Sequence, residues 1–486
     1  MIHPERIQIL AGTTSLENLT KTASAGDGSF VVYWMQASQR TTCNHALEYA
    51  IRQANALQKP LVVYFGLTDG FPEANLRHYR FLLEGLLDVK QDLESKGIQL
   101  LLLHNSPEEG AILLSKSAAL LVTDAGYLRI ERAWRRTVAA QAHCPVIQVE
   151  TNVIVPVATA SPKEEYSAAT LRSKLQKILS YYLEPLEEGR CQISSLGLDL
   201  TPSLMHGSGA PGETHPPAVL SLEDLDATLG QLRIDGSVKP VTGFLGGSRE
   251  AERRLDAFLA DRLSGYGEGR NTPGGDGTSQ LSPYLHFGQI SPLEIALRVI
   301  GAGIGPHRHS ARDQEAFLEE LIVRRELSMN YVYYNPEYDR YHSLPAWAQA
   351  TLTKHLEDPR PWMYTAEELE NAKTHDPYWN AAQLEMKRTG KMDGYMRMYW
   401  GKKILEWSRT PEEGFAIALA MNNKYSLDGR DPNGFAGIAW CFGKHDRPWT
   451  ERSIFGNVRY MNDKGLERKF KMKSYLDKIQ ALELGS

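Results

Sequence analysis

Three tryptophans in the second half of the chain have the residue type and spacing for electron transfer. Trp400 and Trp407 are seven residues apart, which places them on one face of a helix. Trp379 precedes them in Thr374-His375-Asp376-Pro377-Tyr378-Trp379-Asn380. Indole oxidises more easily than other apolar side chains, so such a file could pass electrons by short hops between a buried cofactor and the surface. Aromatic core packing accounts for the same spacing, and the spacing does not decide between the two.

Four further segments carry polar chemistry. In Thr278-Ser279-Gln280-Leu281-Ser282-Pro283-Tyr284-Leu285-His286-Phe287-Gly288 a Gly-rich loop runs into hydroxyl residues at a helix start. Hydroxyls and free backbone N–H groups there form either an anion site suited to a diphosphate or an ordinary N-cap. In Glu315–Tyr334, Glu319, Glu320, Arg324, Arg325 and Glu326 interrupt an apolar helix. They form a solvated face, or some turn inward, where a carboxylate can hydrogen-bond a ligand. Asn422-Asn423-Lys424-Tyr425-Ser426-Leu427-Asp428-Gly429-Arg430-Asp431-Pro432-Asn433-Gly434 puts amides and carboxylates on a turn, suited to a ring edge or a ribose, or simply to Asx-type turn bonds. Asp428 could pair with Arg397 and orient a ligand. The tail from Trp440 interleaves His445, Arg447, Trp449, Arg452, Arg459, Arg468 and several lysines with aromatics, as a nucleic-acid face or a generic charged helix would.

The elements that must hold these residues divide the chain. Short apolar runs at Phe30–Trp34, Leu61–Leu67, Ile98–Leu103, Ala119–Thr123 and Val146–Val149 alternate with helical stretches such as Asn44–Leu57 and Leu76–Ser95. That alternation predicts a parallel, doubly wound α/β sheet, with ligands at the carboxyl ends of its strands. No G-x-G-x-x-G follows any of these strands. Residues 1–28 are polar and predict a flexible lead-in, 29–180 the α/β domain, and 181–245, with Gly, Pro, Ser and His crowded into Thr201–Pro217, a long linker. Residues 246–486 predict an all-α domain, with breaks at Arg270–Gly277 and Asp428–Gly437.

With 486 residues the chain is too long for one ordinary core. Its net charge of −5 excludes a globally basic nucleic-acid binder, so any DNA contact needs a local basic patch. Cys43, Cys144, Cys191 and Cys441 form no C-x-x-C pair and fit no zinc spacing, so no metal site is expected. No apolar run approaches a membrane span and no signal core opens the chain, which predicts a soluble cytoplasmic protein, nuclear in a eukaryote.

Taken together the segments resemble the photolyase/cryptochrome family. Ser282–Ser291 resembles its flavin-binding signature. Tyr334–Pro336, Lys373–Pro377, Gly394–Trp400 and Leu427–Gly434 are similar to the class II cyclobutane pyrimidine dimer branch, and the resemblance runs from about residue 30 to 475. It implies an N-terminal antenna domain and a helical domain holding a U-shaped FAD. Position by position it implies Tyr266 and Arg270 beside the cofactor and Thr278, Ser279, Gln280, Leu281 and Ser282 around its phosphates. Arg397, Asp428, Asp431 and Asn433 would lie along its polar side, with Asn422 near the flavin N5. Glu320 would hydrogen-bond the lesion at its thymine carbonyls, and Met398 and Trp440 would wall the lesion pocket. Trp379, Trp400 and Trp407 would form the photoreduction chain, with Trp379 nearest the flavin. Arg447, Trp449 and Arg452 would touch DNA beside the flipped lesion. The chain departs from many relatives at Arg324, where they carry Trp.

The activity so implied is light-driven repair of UV-damaged DNA, as a carbon–carbon lyase. Excited, reduced FADH⁻ lends one electron to the dimer and takes it back after the ring opens, and the protein acts as a monomer. A cryptochrome-like photoreceptor and a 6-4 photolyase are the alternatives. The second requires a pocket histidine, for which His375 and His445 are the candidates. The N-terminal sheet would hold a deazaflavin antenna, a folate antenna or no pigment, and the site for one is expected near Met35–Arg40, after the first strand.

Overall fold

The computed structural model describes residues 2–205, 217–302 and 310–484. A seven-stranded sheet occupies the N-terminal part: β1 (Ile7–Ala11), β2 (Phe30–Trp34), β3 (Leu61–Leu67), β4 (Gln99–His104), β5 (Ala118–Asp124), β6 (Val146–Val149) and β7 (Ala218–Val219), in the order β1-β6-β5-β2-β3-β4-β7. The five inner strands are parallel. Every residue of β2, β3 and β5 is buried, as expected of strands covered by helices on both faces. The intervening helices begin where the chain supplies caps. The Asn44 side chain accepts from the Ala46 and Leu47 amides ahead of His45–Leu57, and Asn75 with His78 closes a capping box ahead of Leu76–Ser95.

Three expectations need correction. The sheet is mixed, because β1 and β7 run antiparallel at its edges. Each edge strand pairs on one side only, β1 with β6 and β7 with β4, partners far from it in the chain. The polar first 28 residues are therefore no loose lead-in. They contribute β1 and the helix Leu19–Ala25, and Arg6 is buried with its guanidinium donating to the carbonyls of Glu150, Val153 and Ile154. An edge strand needs only one apolar face, so Gln8 stays exposed while Ile7 and Ile9 pack inward. The expected linker also carries structure: Leu179–Tyr182 runs into its start, and Thr201–Met205, β7 and Leu225–Gly230 lie within it. Its most Gly/Pro/Ser-rich part, 206–216, lies outside the described residues.

The second half is helical. Pro377–Thr389, Gly394–Trp407, Pro411–Tyr425, Pro432–Cys441 and Arg325–Tyr334 surround one core that contains Trp379, Trp400 and Trp407. Among the described residues no helix is long and apolar enough to cross a membrane. The strand order reverses between β2 and β5, and the two halves of the molecule meet at that point. There the Asp124 carboxylate accepts from the amides of Gln36 and Ala37, both at 2.7 Å. Fully buried Arg40 donates to Asn152 Oδ1 at 2.8 Å and to the Gly288 carbonyl at 2.9 Å.

Gly288 is conformationally obligatory. Its φ is +67°, and an added Cβ would lie 1.9 Å from the Ala37 carbonyl oxygen. Gly288→Ala should therefore cost more than about 2 kcal/mol through backbone strain and separation of the two halves. A denaturant titration that leaves the midpoint within error of the parent would contradict this account of the junction.

Candidate functional site

The helix carrying the acidic and basic run changes pitch at its chemically active part. Ala311–Leu318 passes through a widened π turn, Glu319–Arg324, into Arg325–Tyr334. Such turns rotate successive side chains off the regular helical face. Leu321, Ile322 and Val323 point into the core and the neighbouring charges diverge. Glu320 pairs with Arg270 at 2.7 Å and keeps 41% of its side-chain surface exposed, so it stands at a mouth rather than inside. Arg270 lies over the ring of Tyr266, 5.7 Å from its centroid, and its buried Nε has no partner. Tyr266 packs in turn on Phe258 and Phe317. Glu319 turns the other way, to Arg172 and to Arg324. Arg324 is thus an exposed member of an ion network, with 48% of its side chain accessible.

On the opposite side Arg397 and Asp428 approach to 3.6 Å. Arg397 Nε and Asp428 Oδ1 are buried and have no hydrogen-bond partner. A buried polar atom without a partner carries a desolvation cost, and in a native fold this usually marks the place of a ligand or water. Asn422 is buried beside them, its amide 3.5 Å from Asn423 Oδ1 and its carbonyl oxygen accepting from the Ser426 hydroxyl at 3.4 Å. Asp431 caps Pro432–Cys441 by accepting from the Asn433 amide at 2.7 Å, and it meets His286 Nδ1 at 3.1 Å. Burial pushes the Asp431 carboxyl up, but the His286 hydrogen bond and charge, the Arg325 charge and the Asn433 amide together outweigh it and hold the carboxyl below the usual range. Asn433 Oδ1 accepts from the Ser328 hydroxyl and joins two helices.

The hydroxyl run behaves as a turn into the short helix Ser282–His286, with Leu281 buried at its start. Gln280 adopts φ +58° and spends its amide on Arg254 and Asp276. Lys391 Nζ donates to Thr278 Oγ1 at 2.9 Å, which brings a cation to this turn. The sequence reading passed over Lys391, because only the chain reversal at Gly390, φ +72°, carries it towards Thr278.

The three indoles are buried and in contact, in an order that corrects the expectation. Trp379 stacks on Trp400 at 6.3 Å with 6° between planes and meets Trp407 edge-on at 5.7 Å. Trp379 is the middle member and does not lie at the inner end. It projects from a separate helix, Pro377–Thr389, between two residues of Gly394–Trp407. Trp400 follows Arg397 by one turn and forms the inner end. Trp407 leads outward through Tyr364 at 5.4 Å and His375 at 5.3 Å.

A second aromatic group lies on the outer face. Lys402 and Arg459 sit over Trp440, and Arg447 and Arg459 over Trp449. Met398 packs half-buried on the helical core. Arg452 lies over Tyr460 rather than over either tryptophan. Arg459, which touches both indoles, went unselected among the many tail cations because its turn back onto Trp440 is tertiary.

The chain is 50% identical over 485 residues to the deoxyribodipyrimidine photo-lyase of Methanothermobacter thermautotrophicus, covering 99% of each. The chain belongs to the photolyase/cryptochrome family. The DNA photolyase sequence pattern matches residues 31–191. The Arabidopsis thaliana deoxyribodipyrimidine photo-lyase is 38% identical, over 99% of this chain and 94% of its own. An archaeal photolyase from Sulfolobus tokodaii, solved with two FAD molecules, shares the family fold at a TM-score of 0.66 and 15% identity, over 92% of this chain and 89% of its own.

The Arg397–Asp428 pair offers a direct check on whether this site is kept for a ligand. Asp428→Leu alone strands a cation and should cost about 3 kcal/mol, whereas Arg397→Met combined with Asp428→Leu should restore nearly all of it. Thermal unfolding of the two ligand-free variants decides. A double variant as unstable as the single one would make the pair structural.

Proposed function

We propose that the chain is a class II photolyase that repairs cyclobutane pyrimidine dimers with light, holding FAD between the Arg270–Glu320 wall and the Arg397–Asp428 pair. The observation that carries the reading is the set of buried polar atoms that make no hydrogen bond, Arg397 Nε and Asp428 Oδ1, at the inner end of a tryptophan file. Arg397, Asp428 and Asn422 fit a ring edge that both donates and accepts hydrogen bonds, and Thr278 to Ser282 with Lys391 fit a diphosphate. When bound, reduced FAD supplies the electron that opens the cyclobutane ring and takes it back afterwards. The protein's part is to position and to exclude water. Glu320 meets the polar edge of a flipped thymine, Met398 and Trp440 wall the lesion, and Arg447 and Trp449 hold the adjoining DNA. Asp431 and Asn433 support this wall through the helix they cap and join. The file Trp400–Trp379–Trp407 passes electrons inward to bring the cofactor to its reduced state.

Two placements favour the dimer over the 6-4 lesion as substrate. His375 stacks on Trp362 at the outer end of the tryptophan file, away from the lesion wall. Burial pulls His445 down to about 4, which disfavours the imidazolium form that a 6-4 proton donor requires. For the antenna pigment, the supporting feature is a cavity of about 120 Å³ at the switch point, lined by Met35, Gln36, Phe71, Glu131 and Trp134.

Blue light should restore the absorbance lost when thymine dimers form in an oligothymidylate, once the bound flavin is reduced. No recovery with fully reduced FAD present would sink the proposal. Trp379→Phe should abolish photoreduction and yet leave repair intact after reduction with dithionite. Equal loss under both conditions would remove the electron-relay role.

A further inference from the structure

The tryptophan file ends on a phenol that is hydrogen-bonded to an imidazole. Tyr364 meets Trp407 edge-on with 5.4 Å between ring centroids, and its amide donates to the Trp407 carbonyl at 3.3 Å. Its hydroxyl oxygen lies 2.6 Å from His375 Nδ1 and accepts from the His375 backbone amide at 3.0 Å. Among the described residues the phenolic proton has no other acceptor within reach. The phenol therefore donates to an unprotonated Nδ1, and Nε2 carries the ring proton. Trp362 holds the imidazole in this pose, stacked on it at 4.3 Å with 19° between planes. His375 is exposed, so a proton that it receives can pass on to water.

No indole of the file has a comparable base. Trp379 donates to the Trp400 carbonyl and Trp400 to the Gln383 amide oxygen, and the Trp407 side chain makes no hydrogen bond among the described residues. Amide oxygens are poor proton acceptors, so an oxidised indole here stays a radical cation and draws its electron back. Lys403 lies over Trp407 at 5.6 Å but pairs with Glu406 at 2.7 Å, which leaves the charge beside that ring close to balanced. A phenol becomes a strong acid on losing an electron, and with a base already in its hydrogen bond the proton can leave at once. Tyr399 also donates to a base, Asp376, but no ring contact joins it to the file among the described residues. We propose that Tyr364 is the terminal electron donor of the file and His375 its proton acceptor. The Trp407 radical cation takes one electron from Tyr364 while the phenolic proton moves to His375 Nδ1. The products are a neutral indole, a neutral tyrosyl radical and an imidazolium. A small thiol then resets the pair: its thiolate gives the radical one electron, the imidazolium returns the proton, and two thiyl radicals combine to a disulfide. The proposal rests on the electron-relay reading given above and extends it by one ring.

Flash photolysis and freeze-trapped electron paramagnetic resonance of the FAD-loaded, oxidised protein test it. The parent should give a neutral tyrosyl radical whose spectrum narrows when tyrosine is ring-deuterated, and the radical should form more slowly in heavy water. Tyr364→Phe should lose that signal and leave an indole radical that decays sooner. His375→Ala should lose it too, and imidazole added to the buffer should restore it. In the flavin-free protein, nitrogen NMR of ring-labelled histidine near neutral pH should show an unprotonated Nδ1 at His375 whose resonance shifts in Tyr364→Phe. A lasting indole radical in the parent, a tyrosyl signal that survives Tyr364→Phe, no rescue of His375→Ala by imidazole, or a protonated Nδ1 would overturn the proposal. An indole signal in the parent that disappears in Trp362→Phe would place the end of the path at that exposed ring and also overturn it. Photoreduction that survives Trp379→Phe would refute the relay reading itself, which is a distinguishable result.

Discussion

The stacking of Trp379 between Trp400 and Trp407 is the constraint around which the helical half is arranged. Three large planar side chains can be buried in contact only if their helices meet at a fixed distance and rotation. The Trp379 Nε1–H donates to the Trp400 carbonyl at 3.0 Å, and the Trp400 indole donates to Gln383 at 2.9 Å, so both polar tips are satisfied inside the core. The same packing sets the direction in which Arg397 projects, one turn before Trp400. The arrangement that packs the core is also the one that the proposed electron relay requires.

Around that core the polar groups separate by burial. Asn422 and the Arg397–Asp428 pair lie deep, the pair with polar atoms that make no hydrogen bond, whereas Glu320, Arg324, Arg447 and Trp449 stand at the surface. The π turn at Glu319–Arg324 makes part of this division. A regular helix would have kept Glu319 and Glu320 in the ordinary spacing, but the widened turn sends one to Arg172 and the other to Arg270. Deep groups suit a ligand that remains bound, and exposed groups suit one that arrives and leaves.

The junction between the halves is built from charges buried against backbone carbonyls. Arg40 and Arg77 each donate to carbonyls from distant parts of the chain, Arg40 reaching Gly288 and Arg77 reaching Lys239, Lys387 and Tyr425. Five guanidinium donors in a planar fork can satisfy several such oxygens at once, which lysine cannot do. This junction lies beside the β2/β5 switch point, so the proposed antenna cavity and the helical site are held in one rigid relation.

Much of this was legible in the amino-acid sequence, because strand and helix periods, caps and breaks are local. The five inner strands, Leu76–Ser95 and the turn at Arg270–Gly277 follow from residue order and flanking signals. The residue types at the site, and the pairing of Arg397 with Asp428, could also be read there. What depends on long-range packing could not. The antiparallel edges β1 and β7 rest on pairings with β6 and β4, far away in sequence. The middle place of Trp379, the reach of Lys391 to Thr278, and the return of Arg459 over Trp440 and Trp449 all depend on how helices cross. Sequence determined which groups could take part in the chemistry; only the tertiary packing decided their order and partners, because distances between residues remote in the chain are set by the whole core.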